Sequence, residues 1–251
     1  MRPRATSIVV LRRLLHRLGF DLVRSLGADD LLKRRLQLMV TRHIEVVFDV
    51  GAHSGQYAQT LRALGFRGHV ISFEPLPAPF SLLQQAAARD PLWEPVNAAL
   101  GDRDGEVTMH VSGNSQSSSV LEMLPTHESA APESAYVGTC QVRMTTLANA
   151  IGTYGAPGQP LFVKVDAQGY EEQVLDSAGD ALQKVEGVQL ELSLVPLYKG
   201  QALLEDMIMK MRERGFVLTS LEPGFHDPRT GQLLQTDGIF FRAPASGGLA
   251  Q

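Results

Sequence analysis

The chain has 251 residues, 44% of them hydrophobic, enough for one substantial core, and its net charge of −4 gives no ground for nucleic acid as a global partner. A single cysteine, Cys140, excludes an intramolecular disulfide and argues against a cysteine-held zinc. The charge is uneven: residues 1–42 hold ten Arg or Lys against three Asp, a balance of +7, which leaves −11 on the rest.

The leader segment Ser7–Leu18 places apolar residues at helical spacing, with Arg12, Arg13 and Arg17 between them. A signal peptide needs about 7–15 unbroken apolar residues, and here arginine interrupts after four. No stretch reaches the roughly 18 apolar residues of a membrane-spanning helix. The expectation is a cytoplasmic protein with a basic helical extension over 1–42. Residues 1–24 then either lie on the inner, anionic membrane face or pack on the domain with their arginines in water.

Further along, the pattern predicts helices near 29–39 and 54–64, the second stopped by Gly65, with a strand at 45–50 between them. A strand at 69–73 follows, and Pro75, Pro77 and Pro79 set an extended entry to a helix at 80–88. Short strands are expected near 93–97 and 106–111, joined by the turn 101–105. Residues 112–135, rich in Ser, Pro and Gly, read as an irregular stretch, either a lid or a solvated loop around Ser117-Ser118-Ser119. Strand 140–144 leads to a short helix capped by Thr145 or Thr146. Strands at 160–166 and 187–194 flank a helix at 171–177. Helix 203–214 ends at Gly215, and strands 216–221 and 237–242 close the chain through a long connection. Alternating strands and helices give an α/β fold, with a largely parallel sheet, helices on both faces and an antiparallel last strand. The domain is expected over 43–244, with a disordered tail at 245–251.

The chemistry begins at Asp49-Val50-Gly51-Ala52-His53-Ser54-Gly55, where an apolar strand ends in an acid and a small-residue turn opens a helix. Glu74, at the end of the next strand, can accept both hydroxyls of a ribose. A dinucleotide fold needs G-x-G-x-x-G to seat a pyrophosphate, and this turn lacks that spacing. Asp49 would also repel phosphate but favour the sulfonium and ammonium of S-adenosylmethionine. The plainer alternative is a strand, a turn and a helix capped by Ser54.

These residues, with Tyr57, Phe73-Glu74-Pro75, Asn97-Ala98-Ala99-Leu100-Gly101, Ser117-Ser118-Ser119, Lys164-Val165-Asp166-Ala167-Gln168-Gly169-Tyr170-Glu171, Leu197–Gln201 and Asp237–Arg242, resemble the FkbM family of methyltransferases in their order along the chain. The resemblance implies a class I methyltransferase, Rossmann-like three-layer sandwich with a mostly parallel seven-stranded sheet. It also implies O-methylation of sugars in glycolipids, polysaccharides or natural products. Where the family commonly has Asn after Gly-Ala, this chain has His53.

Methyl transfer to a hydroxyl needs alignment and either a base or a metal. Asp166 is the first candidate base, with His53, Glu191 and, last, Asp237 behind it. In a metal-dependent version Asp166 and Glu191, with Gln168, bind Mg2+ through oxygen. In a purely structural version Lys164, Asp166, Glu171 and Glu191 form an ion-pair network. Gly51, Ala52, Ser54 and Gly55 are expected under the methionine portion of the cofactor, with Asp49 near its amino group. Glu74 belongs to the ribose, Asn97 and Ala98 to the adenine. Tyr57 and Asp166 border the same pocket, Tyr57 being equally well placed for simple packing. His226 reads as a surface-loop histidine, and Trp93 and Met207–Met209 as core. The expected partner is a sugar-bearing small molecule or lipid-linked acceptor, not nucleic acid. The rival readings are a nicotinamide-dependent oxidoreductase and a non-catalytic membrane-surface or scaffold protein.

Overall fold

The computed structural model describes residues 28–155 and 158–243. The readings for the leader 1–24 and the tail 245–251 lie outside them. Contacts divide the chain into two units, 1–35 and 36–251. The described part of the first is the opening of helix α1 (Ala28–Thr41). Everything below concerns the second.

Its centre is a seven-stranded sheet built from β1 (Val46–Val50), β2 (His69–Phe73), β3 (Trp93–Val96), β7 (Leu161–Val165), β8 (Val185–Ser193), β9 (Phe216–Pro223) and β10 (Gln235–Arg242), in the order 3-2-1-7-8-10-9. All the ladders are parallel except those of β10, which runs antiparallel to both β8 and β9. This is the doubly wound topology with a reversed last strand that the sequence implies. Its switch point lies at β1 and β7, where the two halves wind in opposite directions and a crevice opens at the strand carboxyl ends.

The period-2 alternation of β1 and β7 sorts the core into two layers. Val47 and Phe162 point to one face, with Met39 of α1, Leu61 of α2 (Gln56–Leu64) and Leu83 of α3 (Pro77–Ala87). Phe48, Val50, Val163 and Val165 point to the other. There they meet Leu147 and Ile151 of α5 (Leu147–Tyr154), Val174 of α6 (Glu171–Asp176) and Met207 and Met211 of α7 (Leu204–Glu213). Met207 is core as expected, but Met209, on the opposite side of its helix, is exposed.

Two local expectations are corrected and one is narrowed. Pro77 and Pro79 open α3 instead of preceding it, because a first-turn proline has no amide hydrogen to lose. Thr146, not Thr145, caps α5, its hydroxyl accepting from Asn149 N at 3.2 Å. Residues 112–135 are not irregular throughout, and their serine run is not solvated. They carry α4 (Pro125–Ala130) and a 3-10 turn at Pro132–Ser134, and Ser117, Ser118 and Ser119 are all buried. This insert links β5 (Gly105–Ser112) to β6 (Tyr136–Thr146), which with β4 (Ala99–Gly101) form a second, three-stranded sheet. No described helix is long and apolar enough to cross a membrane.

Candidate active site

The tips of β1, β2 and β3 make one half of the crevice. Gly51 adopts φ +72°, and a Cβ there would stand 1.9 Å from the Asp166 carbonyl oxygen, so this glycine is required by the neighbouring strand as much as by any ligand. The amides of Gly51 and Ala52 both donate to Phe73 O, at 3.1 and 3.0 Å, which binds the turn to β2. Gly55, with φ +89° and Trp93 2.7 Å from where a Cβ would be, occupies the cap position of α2. The expected cap at Ser54 is therefore not formed.

Glu74 is buried, its Oε2 accepting from His53 N at 2.9 Å and its Oε1 from Leu76 N at 2.8 Å. Each oxygen keeps a second lone pair. Burial outweighs both amides and pushes the carboxyl up to about 7. Asn97 lies next to it, its Nδ2 donating to the carbonyls of Glu74 and Pro75 at 2.9 and 3.0 Å; the side chain ties the two strand tips together while remaining exposed. Ala98 is fully buried behind it.

His53 holds the left-handed conformation, φ 49°, and so does Ser115 of the insert, φ 59°. Their side chains meet at 2.8 Å. Ser115 Oγ donates to Asn114 O at 2.7 Å, so His53 Nε2 supplies the hydrogen between them and Nδ1 keeps the lone pair, facing Gln56 Nε2 at 3.4 Å. Burial lowers the imidazole below its usual range. The nitrogen facing the insert is thus a donor, and His53 fastens one loop to another.

Beneath the turn runs a row of polar side chains that crosses the sheet on the α2 face, with Ser72, Asp49, Lys164 and Gln189 in register and Trp93 reaching in from β3. Trp93 Nε1 donates to Ser72 Oγ at 2.9 Å, which donates to Asp49 Oδ2 at 3.2 Å. Asp49 Oδ1 faces Lys164 Nζ at 3.3 Å. The Lys164 ammonium also reaches Val50 O and Gly51 O, at 3.2 and 3.1 Å, and Asp166 Oδ2 at 3.4 Å. It sits 5.6 Å from the centre of the Tyr57 ring, whose hydroxyl donates to Gln189 Oε1 at 3.0 Å. Burial opposes the ammonium, but Asp166 and Asp49 outweigh it and hold Lys164 in its charged form. Burial likewise pushes Asp49 above the usual carboxylate range. Tyr57 therefore joins this row through its ring and its hydroxyl. Ser72 and Gln189 were missed by sequence reasoning; a polar residue recurring at equal depth in adjacent apolar strands is the signal that finds them.

The tips of β7, β8 and β10 make the other half. Asp166, its side chain 34% exposed, accepts at Oδ1 from Gln168 Nε2 at 2.7 Å. The same Nε2 donates to Glu191 Oε2 at 3.0 Å, and Gln235 Nε2 reaches that oxygen at 2.7 Å. Asp237 is the register partner of Glu191. Burial, then Asp166, Glu171 and Asp237, push Glu191 well above the carboxylate range. Glu171 Oε1 caps the amides of Ala167 and Gly169, at 2.8 and 3.2 Å, and burial pushes it up to about 7. The anticipated ion-pair network is thus confined to Lys164, Asp49 and Asp166; Glu171 and Glu191 are held by amides.

The same geometry does not fit the magnesium-dependent version. The group between Asp166 and Glu191 is an N–H donor, where a hard cation requires oxygen. Among the described residues no three or more His, Cys, Asp or Glu side chains are arranged to hold a metal. His226, in the β9–β10 connection, is exposed and bridges to Leu233.

No curated protein matches the chain in sequence. Several solved structures are similar in fold. TrmK of M. capricolum, in complex with S-adenosyl-homocysteine, is 7% identical over 86% of this chain and 71% of its own, with a TM-score of 0.47. The ribosomal protein L11 methylase of Lactobacillus delbrueckii subsp. bulgaricus is 10% identical over 85% and 79%, at 0.44. An rRNA methylase of Streptococcus thermophilus is 8% identical over 80% and 88%, at 0.42. These likenesses are slight, and the fold follows from strand order and winding. The family model of the methyltransferase FkbM domain matches residues 49–218, from the acid at the tip of β1 into β9, and the chain belongs to that methyltransferase family.

Proposed function

We propose that the protein transfers the methyl group of S-adenosylmethionine to a hydroxyl of a sugar, within a glycan or glycolipid. The observation that carries this reading is the place of Asp166. Its carboxylate is partly open to the crevice while its own backbone carbonyl lies against Gly51, so an acceptor oxygen bound to it stands beside the cofactor turn. In the step, the acceptor oxygen forms a bond to the methyl carbon as the carbon–sulfur bond breaks. The hydroxyl proton passes to Asp166, and S-adenosylhomocysteine leaves without the sulfonium charge.

The cofactor half fits the same reading. Glu74 keeps lone pairs for ribose hydroxyls, and Asp49 with Asp166 outnumber Lys164 by one negative charge near the expected sulfonium. A neutral polyol suits the acceptor half, where carboxylates and amides cluster. A phosphate backbone would meet like charge there. The basic segment 1–42 supports a lipid-linked acceptor held at an anionic membrane face. Deleting residues 1–24 should then weaken binding to anionic liposomes, and unchanged binding removes that part of the proposal.

The deciding experiment is calorimetric titration with S-adenosylhomocysteine of wild type and Glu74→Ala, followed by transfer from methyl-labelled cofactor to a glycolipid panel. Micromolar binding that collapses in the variant is the expected result. No binding by folded wild type would bring nicotinamide cofactors or a non-catalytic role to the front.

A further inference from the structure

Gln168 is the most heavily tied residue of the acceptor half, and none of its ties is to the cofactor turn. Its backbone holds φ 52°, a conformation that residues other than glycine rarely adopt, and Ser119 Oγ of the insert pins its carbonyl at 2.7 Å. Tyr198, fully buried and packed edge-on against His127, donates its hydroxyl to Gln168 Oε1 at 2.7 Å. The same hydroxyl lies 3.2 Å from Ser117 O, so its one hydrogen is shared, and the way round of the amide is set by the two carboxylate oxygens opposite, which need donors. The nitrogen is left facing the gap between Asp166 Oδ1 and Glu191 Oε2, at 2.7 and 3.0 Å, and its two hydrogens serve one carboxylate each.

We propose that Gln168 is a positioning residue of the acceptor site, its side-chain amide joining Asp166 to Glu191 in the place that a divalent cation would otherwise take. The word acceptor rests on the methyl-transfer reading above; the bridge itself does not. Two carboxyl groups facing one gap need a positive or donating group between them. A cation supplies it with charge and demands oxygen ligands. An amide supplies it with two N–H donors and leaves the geometry fixed by covalent bonds. Gln235 donates to the same Glu191 oxygen, at 2.7 Å. Asp166 is then held at both oxygens, by Gln168 at Oδ1 and by Lys164 at Oδ2, with its remaining lone pairs open to a substrate hydroxyl. Because Ser119 and Tyr198 arrive from separate loops, the insert and the β8–α7 connection both set the position of this amide.

The test is a Mn2+ titration of the full chain, with and without S-adenosylhomocysteine, read by the electron paramagnetic resonance of the free ion. Wild type should leave Mn2+ free. Gln168→Glu should take it up at least about tenfold more tightly, since three carboxylates then face one gap. Adding Asp166→Asn should abolish the gain. Exchanging a residue that merely held the backbone would create no ion site. Wild type binding Mn2+ as tightly as Gln168→Glu overturns the proposal, and so does a folded Gln168→Glu that gains nothing. If that variant does not fold, Gln168→Ala takes its place: with the amide gone the gap opens, and the absence of any gain over wild type overturns the proposal equally. Failure of wild type to bind S-adenosylhomocysteine would strike the methyl-transfer reading alone, because the Mn2+ contrast is read in its absence as well.

Discussion

The two halves of the crevice are built by different means. The cofactor half is held by backbone geometry: amides of the turn donate to β2, Glu74 gathers one amide from its own loop and one from the turn after β1, and glycines fit against neighbouring elements. The acceptor half is held by side chains from Ser119, Gln168, Glu191, Tyr198 and Gln235, which are far apart in the chain. A site made locally can be strongly buried and still stay rigid. One made by convergence depends on the packing of every segment that reaches it. Lys164 is the seam, since one ammonium grips the carbonyls of the turn, Asp49 below it and Asp166 across from it.

The sharpest way to break the comparison is therefore Lys164→Met. It strands the fully buried Asp49 without a counter-charge, and breaking a buried pair from one side costs about 3 to 5 kcal/mol. Urea unfolding should record that loss, with S-adenosylhomocysteine binding and Asp166 positioning failing together. Adding Asp49→Asn should restore much of the stability, because the charge that was left uncompensated is then gone. A single variant with wild-type stability would mean the two halves are not joined at this residue.

This division also governs what the sequence could reveal. Asp49, Gly51 and Glu74 stand within 26 residues at strand ends that period-2 alternation locates, so their convergence follows from one β-α-β unit. The largely parallel sheet follows from the succession of strands and helices, and the reversed β10 from the closing hairpin. Gln168 was legible as a polar residue after a strand, but not as a bridge, because Tyr198 and Ser119 meet it only through tertiary packing. The serine run looked solvated for the same reason: composition records polarity, while burial of Ser117, Ser118 and Ser119 depends on what the insert folds against. Asn97 and Tyr57 hydrogen-bond to the protein, since a strand tip that needs tying uses the nearest amide or hydroxyl.

A second measurement sharpens the cofactor half alone. Glu74 in the free protein titrates near 7, above the ordinary carboxylate, because burial disfavours its charge. Its contribution to folding stability is therefore fully present below the ordinary carboxylate value and is lost as pH rises through 7. Ligand binding should run the other way, because ribose hydroxyls donate to the ionised form. One unit below 7, S-adenosylhomocysteine affinity should be about tenfold weaker than at the alkaline plateau. Calorimetry across that range checks it, with Glu74→Ala weak and flat. A flat wild-type profile would remove Glu74 from the ribose.

The smallest expected effect lies where the insert touches the cofactor turn. Ser115→Ala removes the hydroxyl that meets His53 Nε2 and leaves that half-buried donor without its partner. The loss should be about 0.5–1.5 kcal/mol, the range of a single hydrogen bond. Because His53 N also holds Glu74, slackening the side chain should loosen the carboxylate on the same residue, and S-adenosylhomocysteine should dissociate up to about tenfold faster. Stopped-flow release of the ligand reads this directly. The Mn2+ response of Gln168→Glu should stay unchanged by the added substitution, since Ser119, not Ser115, pins Gln168. If release is unaltered as well, the insert rests on the acceptor half alone, and the left-handed conformations of His53 and Ser115 serve the turn and the insert separately.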